Sequence, residues 1–119
     1  MNAAMLYQQT AVTTQNQGRL IVLLYDGAIR FLRQARVGMQ NGDYAKKSVF
    51  LARAQDVVFE LNASLNMELG GEISNRLRSV YTFIWTRLSQ VNMKNDIAVL
   101  DRLIAILEDL AGAWRQISA

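Results

Sequence analysis

The chain contains no cysteine, no histidine and no proline. Without cysteine there is no disulfide framework, so nothing points to an oxidising, extracellular setting. Without histidine or cysteine, the usual nucleophile–base pairs and the preferred zinc ligands are missing. The Glu-x-x-His pairs of a bundle di-iron centre are excluded on the same ground. No glycine-rich phosphate loop occurs either. The expectation is a protein that is not an enzyme and holds no metal and no cofactor. Absence of proline removes the strongest helix breaker, so an all-helical chain with few irregular turns is the simplest reading. Long apolar runs are also lacking. The longest, Leu20 to Tyr25, is far too short to span a bilayer. Residues 1–17 carry no basic residue and no long apolar core, so no signal peptide is read there. A cytoplasmic protein without stable membrane insertion is expected.

What is present suits one compact domain. The chain has 119 residues, of which 51% are hydrophobic and 19% charged. That is enough apolar material for a core and too much for a disordered chain. Thirteen basic residues are interspersed with ten acidic ones, for a net charge of +3. Nucleic-acid binding usually shows denser basic clustering, so none is expected. Arg30, Arg33 and Arg36 nevertheless share one helix face, and with a pI of about 9.6 they motivate a nucleic-acid binder as an alternative.

The most apolar stretch is LIVLLYDGAIRFLRQA, residues 20–35. Leu20, Ile21, Leu24, Tyr25, Ala28, Phe31, Leu32 and Ala35 follow the helical i, i+3, i+4, i+7 rule. They fall within roughly 140° of one face at 100° per residue. Gly27 interrupts this helix at a cost of about 1 kcal/mol relative to alanine, which suggests that something packs close to the backbone there. Asp26 is read either as a polar contact to a partner or as an i, i+4 pair with Arg30.

Residues 1–13 read as a short N-terminal arm, and residues 14–119 as a four-helix domain. Thr14 and Gln17 form a capping box for helix 1, which runs to about Gln40 and stops at Asn41-Gly42. Asp43 caps helix 2, which runs to about Asn66 on a stripe of Phe50, Leu51, Ala54, Val57, Val58, Leu61 and Leu65. Gly70-Gly71 breaks the chain. Helix 3 runs from about Glu72 to Val91, with Ile73, Leu77, Val80, Tyr81, Ile84 and Leu88 inward. Asn95 or Asp96 caps helix 4, with Leu100, Leu103, Ile104, Leu107, Ala111 and Trp114 inward. Four such helices joined by short connections describe an antiparallel up-and-down bundle.

Two stripes exceed what a bundle core needs. Helix 4 carries Val99, Ile106, Leu110, Ala113 and Ile117 beside its core stripe, widening its apolar arc to roughly 200°. Helix 2 carries Ala45, Ala52, Phe59 and Ala63 opposite its core face. They read as surfaces for a partner's amphipathic helix, or as scattered surface apolar groups. Helices 2 and 4 are diagonal in such a bundle, so one partner reaches both only by wrapping around it. A homo-oligomer, such as a homodimer that buries these stripes on each other, is the structural alternative.

The chain resembles the flagellin export chaperone family, FliS. The resemblance rests on Tyr7, on LIVLLYDGAIRFL at 20–32 and Ala35, on AQDVVFELNASLNMELGGEISNRLRSVYTFI at 54–84, and on Trp114-Arg115. Its most specific pieces are Leu24-Tyr25-Asp26-Gly27-Ala28 and Gly70-Gly71-Glu72-Ile73 followed by Tyr81. The resemblance implies a cytoplasmic, non-enzymatic chaperone on an antiparallel four-helix bundle, with an N-terminal arm that can cap the client groove. Its partners are then the disordered C-terminal segment of flagellin, kept from premature polymerisation, and the flagellar export apparatus. The candidate partner-binding residues are Tyr7, Tyr25, Asp26, Ala52, Phe59, Val99, Ile106 and Leu110.

Overall fold

A computed structural model of the chain describes the backbone of residues 3–118 and the side chains of residues 18–117. The described residues form four helices: α1 (Ala3–Asn41), α2 (Tyr44–Ala63), α3 (Met67–Lys94) and α4 (Ile97–Ser118). The expected all-α bundle is what forms. α1 packs on α2 and α4, and α3 packs on α2 and α4, so α1 and α3 are diagonal, as are α2 and α4. Cross-links give the directions. Arg36, Arg33 and Asp26 of α1 meet Asp101, Glu108 and Arg115 of α4, descending one helix while climbing the other. Lys47 and Gln55 of α2 likewise meet Asn92 and Trp85 of α3. Neighbouring helices therefore run antiparallel.

Local chemistry explains the corners. α1 ends in a Schellman turn. The Asp43 N–H donates to the Gly38 carbonyl at 2.8 Å and the Gly42 N–H to the Met39 carbonyl, with Gly42 at φ 69°. The Asp43 carboxylate then accepts from the Lys46 N–H at 3.0 Å and caps α2. Asp96 rather than Asn95 caps α4, accepting from the Val99 N–H at 3.1 Å. Asn95 closes α3 in the left-handed conformation, φ 51°.

The starts of α1 and α3 differ from the sequence reading, and α2 ends three residues earlier and α3 three residues later than expected. α1 is already helical at Thr14, so no helix starts at that capping box. The arm expected at residues 1–13 lies outside the described side chains. α3 starts five residues early, at Met67, because the Asn66 side chain accepts from the Leu69 N–H at 3.0 Å and caps an extra turn. Gly71 then kinks the helix at φ 51°, ψ −123°, a conformation reserved for glycine. Gly70 serves a different need. A Cβ there would lie 1.8 Å from Ser74 Oγ, and that buried hydroxyl reaches back to the Asn66 carbonyl at 2.9 Å. Gly71 thus interrupts α3, and the long helix resumes at Glu72, where the sequence reading starts helix 3; the turn from Met67 is the addition.

The core holds Tyr25, Ala28, Ile29, Leu32 and Ala35 of α1, Leu51, Ala54, Val58 and Leu61 of α2, Tyr81, Ile84, Leu88 and Val91 of α3, and Leu100, Leu103, Ile104, Leu107 and Ala111 of α4. Each fully buried leucine contributes roughly 1.5–3 kcal/mol. Other expected stripe residues, among them Leu24, Phe31, Phe50, Leu77 and Trp114, pack half-buried against it, whereas Leu20 is exposed and Ile73, beside the kink, is 69% exposed. Toward the bundle end that holds the α2–α3 corner the hydroxyls of Tyr25 and Tyr81 meet at 2.5 Å, joining the diagonal helices α1 and α3. Desolvation by burial pushes both phenols above the usual tyrosine range. At the other end the buried Lys47 Nζ donates to the Asn92 carbonyl at 3.0 Å and to Asn95 Oδ1 at 2.6 Å. That places a cation on the C-terminal end of α3, where the helix dipole favours it.

The close approach expected at Gly27 is absent: an added Cβ would meet nothing within 4 Å. It occurs instead at Gly38, where a Cβ would come within 2.9 Å of the Asp43 oxygen and the Lys47 nitrogen, both main-chain atoms. Gly27→Ala is thus expected to stabilise the bundle by up to about 1 kcal/mol, and Gly38→Ala to destabilise it. Thermal melts of the two variants check this. Melts against pH test the tyrosine pair. Below pH ~10 both phenols are protonated folded and unfolded, and their contribution is fully present. Above it the unfolded chain releases protons that the folded chain keeps, so stability falls as pH rises. Tyr25→Phe alone strands the Tyr81 hydroxyl and should cost about 1–3 kcal/mol. Tyr25→Phe/Tyr81→Phe should cost no more than the single change and flatten the alkaline loss.

Candidate functional site

Latches are unevenly shared among the four seams. Between α1 and α4, Arg36 makes a two-pronged bridge to Asp101 at 2.6 and 3.1 Å, Arg33 meets Glu108 at 3.3 Å, and Arg115 pairs with Asp26. All are partly exposed, so each is worth at most ~1 kcal/mol. Between α2 and α3, Gln55 Nε2 donates to the Trp85 carbonyl at 3.0 Å and to Ser89 Oγ at 2.8 Å, and Ser48 meets Asn92. Among the described residues no hydrogen bond or ion pair joins α3 to α4, and these helices meet least of the four neighbouring pairs.

This decides where the helix 4 stripe points. Asp101, Glu108 and Arg115 mark the flank of α4 turned to α1. At 100° per residue Val99, Ile106 and Leu110 lie on the opposite flank, towards α3. They are half-buried and pack against the edge of the core. Val80 of α3 is half-buried on the facing side by the same count, since Trp85, Ser89 and Asn92 mark its α2 flank. The apolar α3–α4 seam therefore lies open along its outer edge. Ala113 and Ile117 continue the stripe and are exposed.

On the other side of α3 runs the α2–α3 groove. Ala52 and Phe59 are exposed there, Phe59 at 64%. Phe59 lines a depression of about 150 Å³ with Val58, Asn62, Tyr81, Thr82 and Trp85. The buried Asn62 Oδ1 has no hydrogen-bond partner among the described residues. Trp85 was not singled out in the sequence. Its signal was available: a large aromatic four residues after Tyr81 but off the core stripe. A third apolar hollow, about 410 Å³, opens at the bundle end. Ile21, Leu65, Leu69, Ile73, Leu77 and Trp114 line it.

The expected site residues separate accordingly. Ala52 and Phe59 share one groove, and Val99, Ile106 and Leu110 share the seam on the far side of α3. Tyr25 is wholly buried, so it offers a partner no surface and acts in the core. Asp26 pairs with Arg115 across the α1–α4 seam, not with Arg30, because the tertiary contact wins over the exposed local one. Tyr7 lies outside the described side chains. No helix among the described residues is long and apolar enough to cross a membrane.

The sequence model of a family described as flagellar protein FliS matches residues 1–119. A Bacillus subtilis protein named flagellar secretion chaperone FliS is 36% identical over 110 residues, 92% of this chain and 81% of the relative. Its Salmonella typhimurium namesake is 35% identical over 111 residues, 92% of this chain and 82% of that one. A Pseudomonas aeruginosa protein named flagellar secretion chaperone FliSB is 33% identical over 122 residues, 99% of this chain and 97% of that one. An all-α bundle with apolar grooves and a full-length family match agree, and the chain belongs to the FliS family of flagellar secretion chaperones, which bind and do not catalyse.

Proposed function

We propose that this chaperone acts in the cytoplasm, holds the disordered C-terminal segment of flagellin, keeps it from polymerising early and helps deliver it to the flagellar export apparatus. The observation that carries this reading is the pair of unfilled apolar strips on either side of α3. An amphipathic helix of the client lies along Val99, Ile106 and Leu110 in the α3–α4 seam. A second stretch of the same client crosses to Ala52, Phe59 and Trp85 in the α2–α3 groove. A disordered segment suits this geometry because it wraps a surface that no preformed helix could cover. Its folding on the bundle costs ordering entropy, which offsets part of the apolar gain and keeps the complex releasable. Holding the client's assembly surface lowers the concentration of polymerisation-competent flagellin by mass action.

The nucleic-acid alternative loses its motivation, because Arg33 and Arg36 are spent on Glu108 and Asp101. Self-association through the same strips competes with client and is expected to be displaced by it.

Paired charge substitutions test the placement. Ile104 is buried, whereas Ile106 is half-buried at the open seam and Phe59 is mostly exposed. Ile104→Asp should lower the melting temperature most. Ile106→Asp and Phe59→Asp should leave a cooperative melt but weaken binding of a flagellin C-terminal peptide by about 2 kcal/mol or more, since the new carboxylate is buried without a partner. Titration calorimetry gives the affinities. Full-strength binding by both folded variants would put the client on another face.

A further inference from the structure

We propose that the outward face of α3 is a further docking surface, for an extended, acidic polypeptide segment. The observations lie in α3 itself. From Ile73 to Lys94 the helix carries Arg76, Arg78, Arg87 and Lys94 and no aspartate or glutamate. Arg76 is paired with Glu72 at 2.6 Å. Arg78 and Arg87 meet no carboxylate among the described residues, in contrast to the arginines of the α1–α4 seam. They bracket a shallow depression of about 470 Å³, with Ser79, Thr82, Phe83 and Thr86 between them.

The lining suits carboxylates and an open backbone. The Arg87 guanidinium stacks 5.7 Å from the Phe83 ring centre and gives one N–H to Gln90 at 3.0 Å. Its Nε is buried and finds no acceptor among the described residues. That buried Nε is out of reach of a docked segment, but the guanidinium held on the ring keeps terminal N–H groups that Gln90 does not take, and these suit a carboxylate. The Thr82 and Thr86 side chains stand exposed between the two arginines. Hydroxyls donate to or accept from main-chain groups only where those groups are free, which an extended segment provides and a helix does not. The arginines are nine residues apart, about 13 Å along the axis and further across the helix. That span is roughly four to six residues of extended chain, and side chains two or four apart fall on one side. Acidic residues at such a spacing reach both guanidiniums while the segment between them lies on the hydroxyls and Phe83. A nucleic-acid strand is matched less well. Its charges recur every few ångströms, and here two unpaired guanidiniums stand alone on the depression.

This surface spans the outward face of α3 and borders both client strips, since Arg78 lies seven residues before Trp85, Arg87 seven after Val80, and Thr82 also lines the Phe59 depression; the proposal stands whether or not the strips take flagellin. The test uses the full chain and a short fluorescent peptide with glutamate at every fourth position and serine, threonine and valine between. Fluorescence anisotropy should show saturable binding that weakens with added salt. Arg78→Gln/Arg87→Gln should weaken it roughly tenfold, the scale of a charge-assisted pair. Arg30→Gln/Arg102→Gln, which removes equal charge from two other exposed arginines, should change it less than about twofold. If the double variant loses its cooperative melt, Arg78→Gln alone must still weaken binding severalfold. Equal losses in both double variants would reduce the effect to net charge, and no loss in either would put the peptide elsewhere. Tighter binding of an oligonucleotide of equal charge, lost in the same variant, would overturn the assignment to a polypeptide.

Discussion

The hydroxyl pair of Tyr25 and Tyr81 is the contact on which the packing of this bundle turns. Diagonal helices in a four-helix bundle do not touch through their backbones, and here two phenols cross the whole core to bridge α1 and α3. A buried hydroxyl without a partner costs free energy, so each phenol fixes the position of the other. Their register sets α3 against α1, and through α1 against α2 and α4. Trp114 of α4 stands beside the same hydroxyls, so a third helix converges there. The apolar layers of leucine, isoleucine and alanine fill the space around this pair.

Beyond that pair the bundle is latched asymmetrically. Three ion pairs close the α1–α4 seam, a Schellman turn with close backbone contact at Gly38 closes α1–α2, and hydrogen bonds to Gln55 and Lys47 close α2–α3. α3–α4 lacks any such link among the described residues. An element held on one side and loose on the other is where local opening costs least. The apolar surplus of the chain sits along the two flanks of this same helix. Its outer face from Ile73 onward carries no acid and is chemically unlike either flank.

The kink at Gly71 illustrates how little separates a break from a bend. Two adjacent glycines read as a helix terminator, because both residues favour non-helical backbone. In the fold only Gly71 leaves the helical region. Gly70 remains helical and is small because Ser74 needs the space. The extra turn from Met67 to Gly70 carries Leu69, 88% exposed, to the apolar hollow at the bundle end. Ile73 is displaced from the core by the same bend.

Periodicity alone settled much of this protein. The four helices, the cap at Asp43, a cap of α4 at Asn95 or Asp96, the stop at Gly42 and most of the core are legible in the sequence. These features depend on residues within one turn of each other, and on a 3.6-residue repeat that burial of one face imposes. The outer stripes on α2 and α4 were legible for the same reason. What they face was not. Whether Asp26 pairs with Arg30 or Arg115, whether Gly27 or Gly38 is pressed by a neighbour, and that Lys47 is buried on the end of α3 all depend on residues tens of positions away. So does the meeting of Tyr25 and Tyr81, which are 56 residues apart. Side-chain spacing along one helix determines which residues share a face. Only the packing of all four helices decides which faces close on a neighbour and which remain open to a partner.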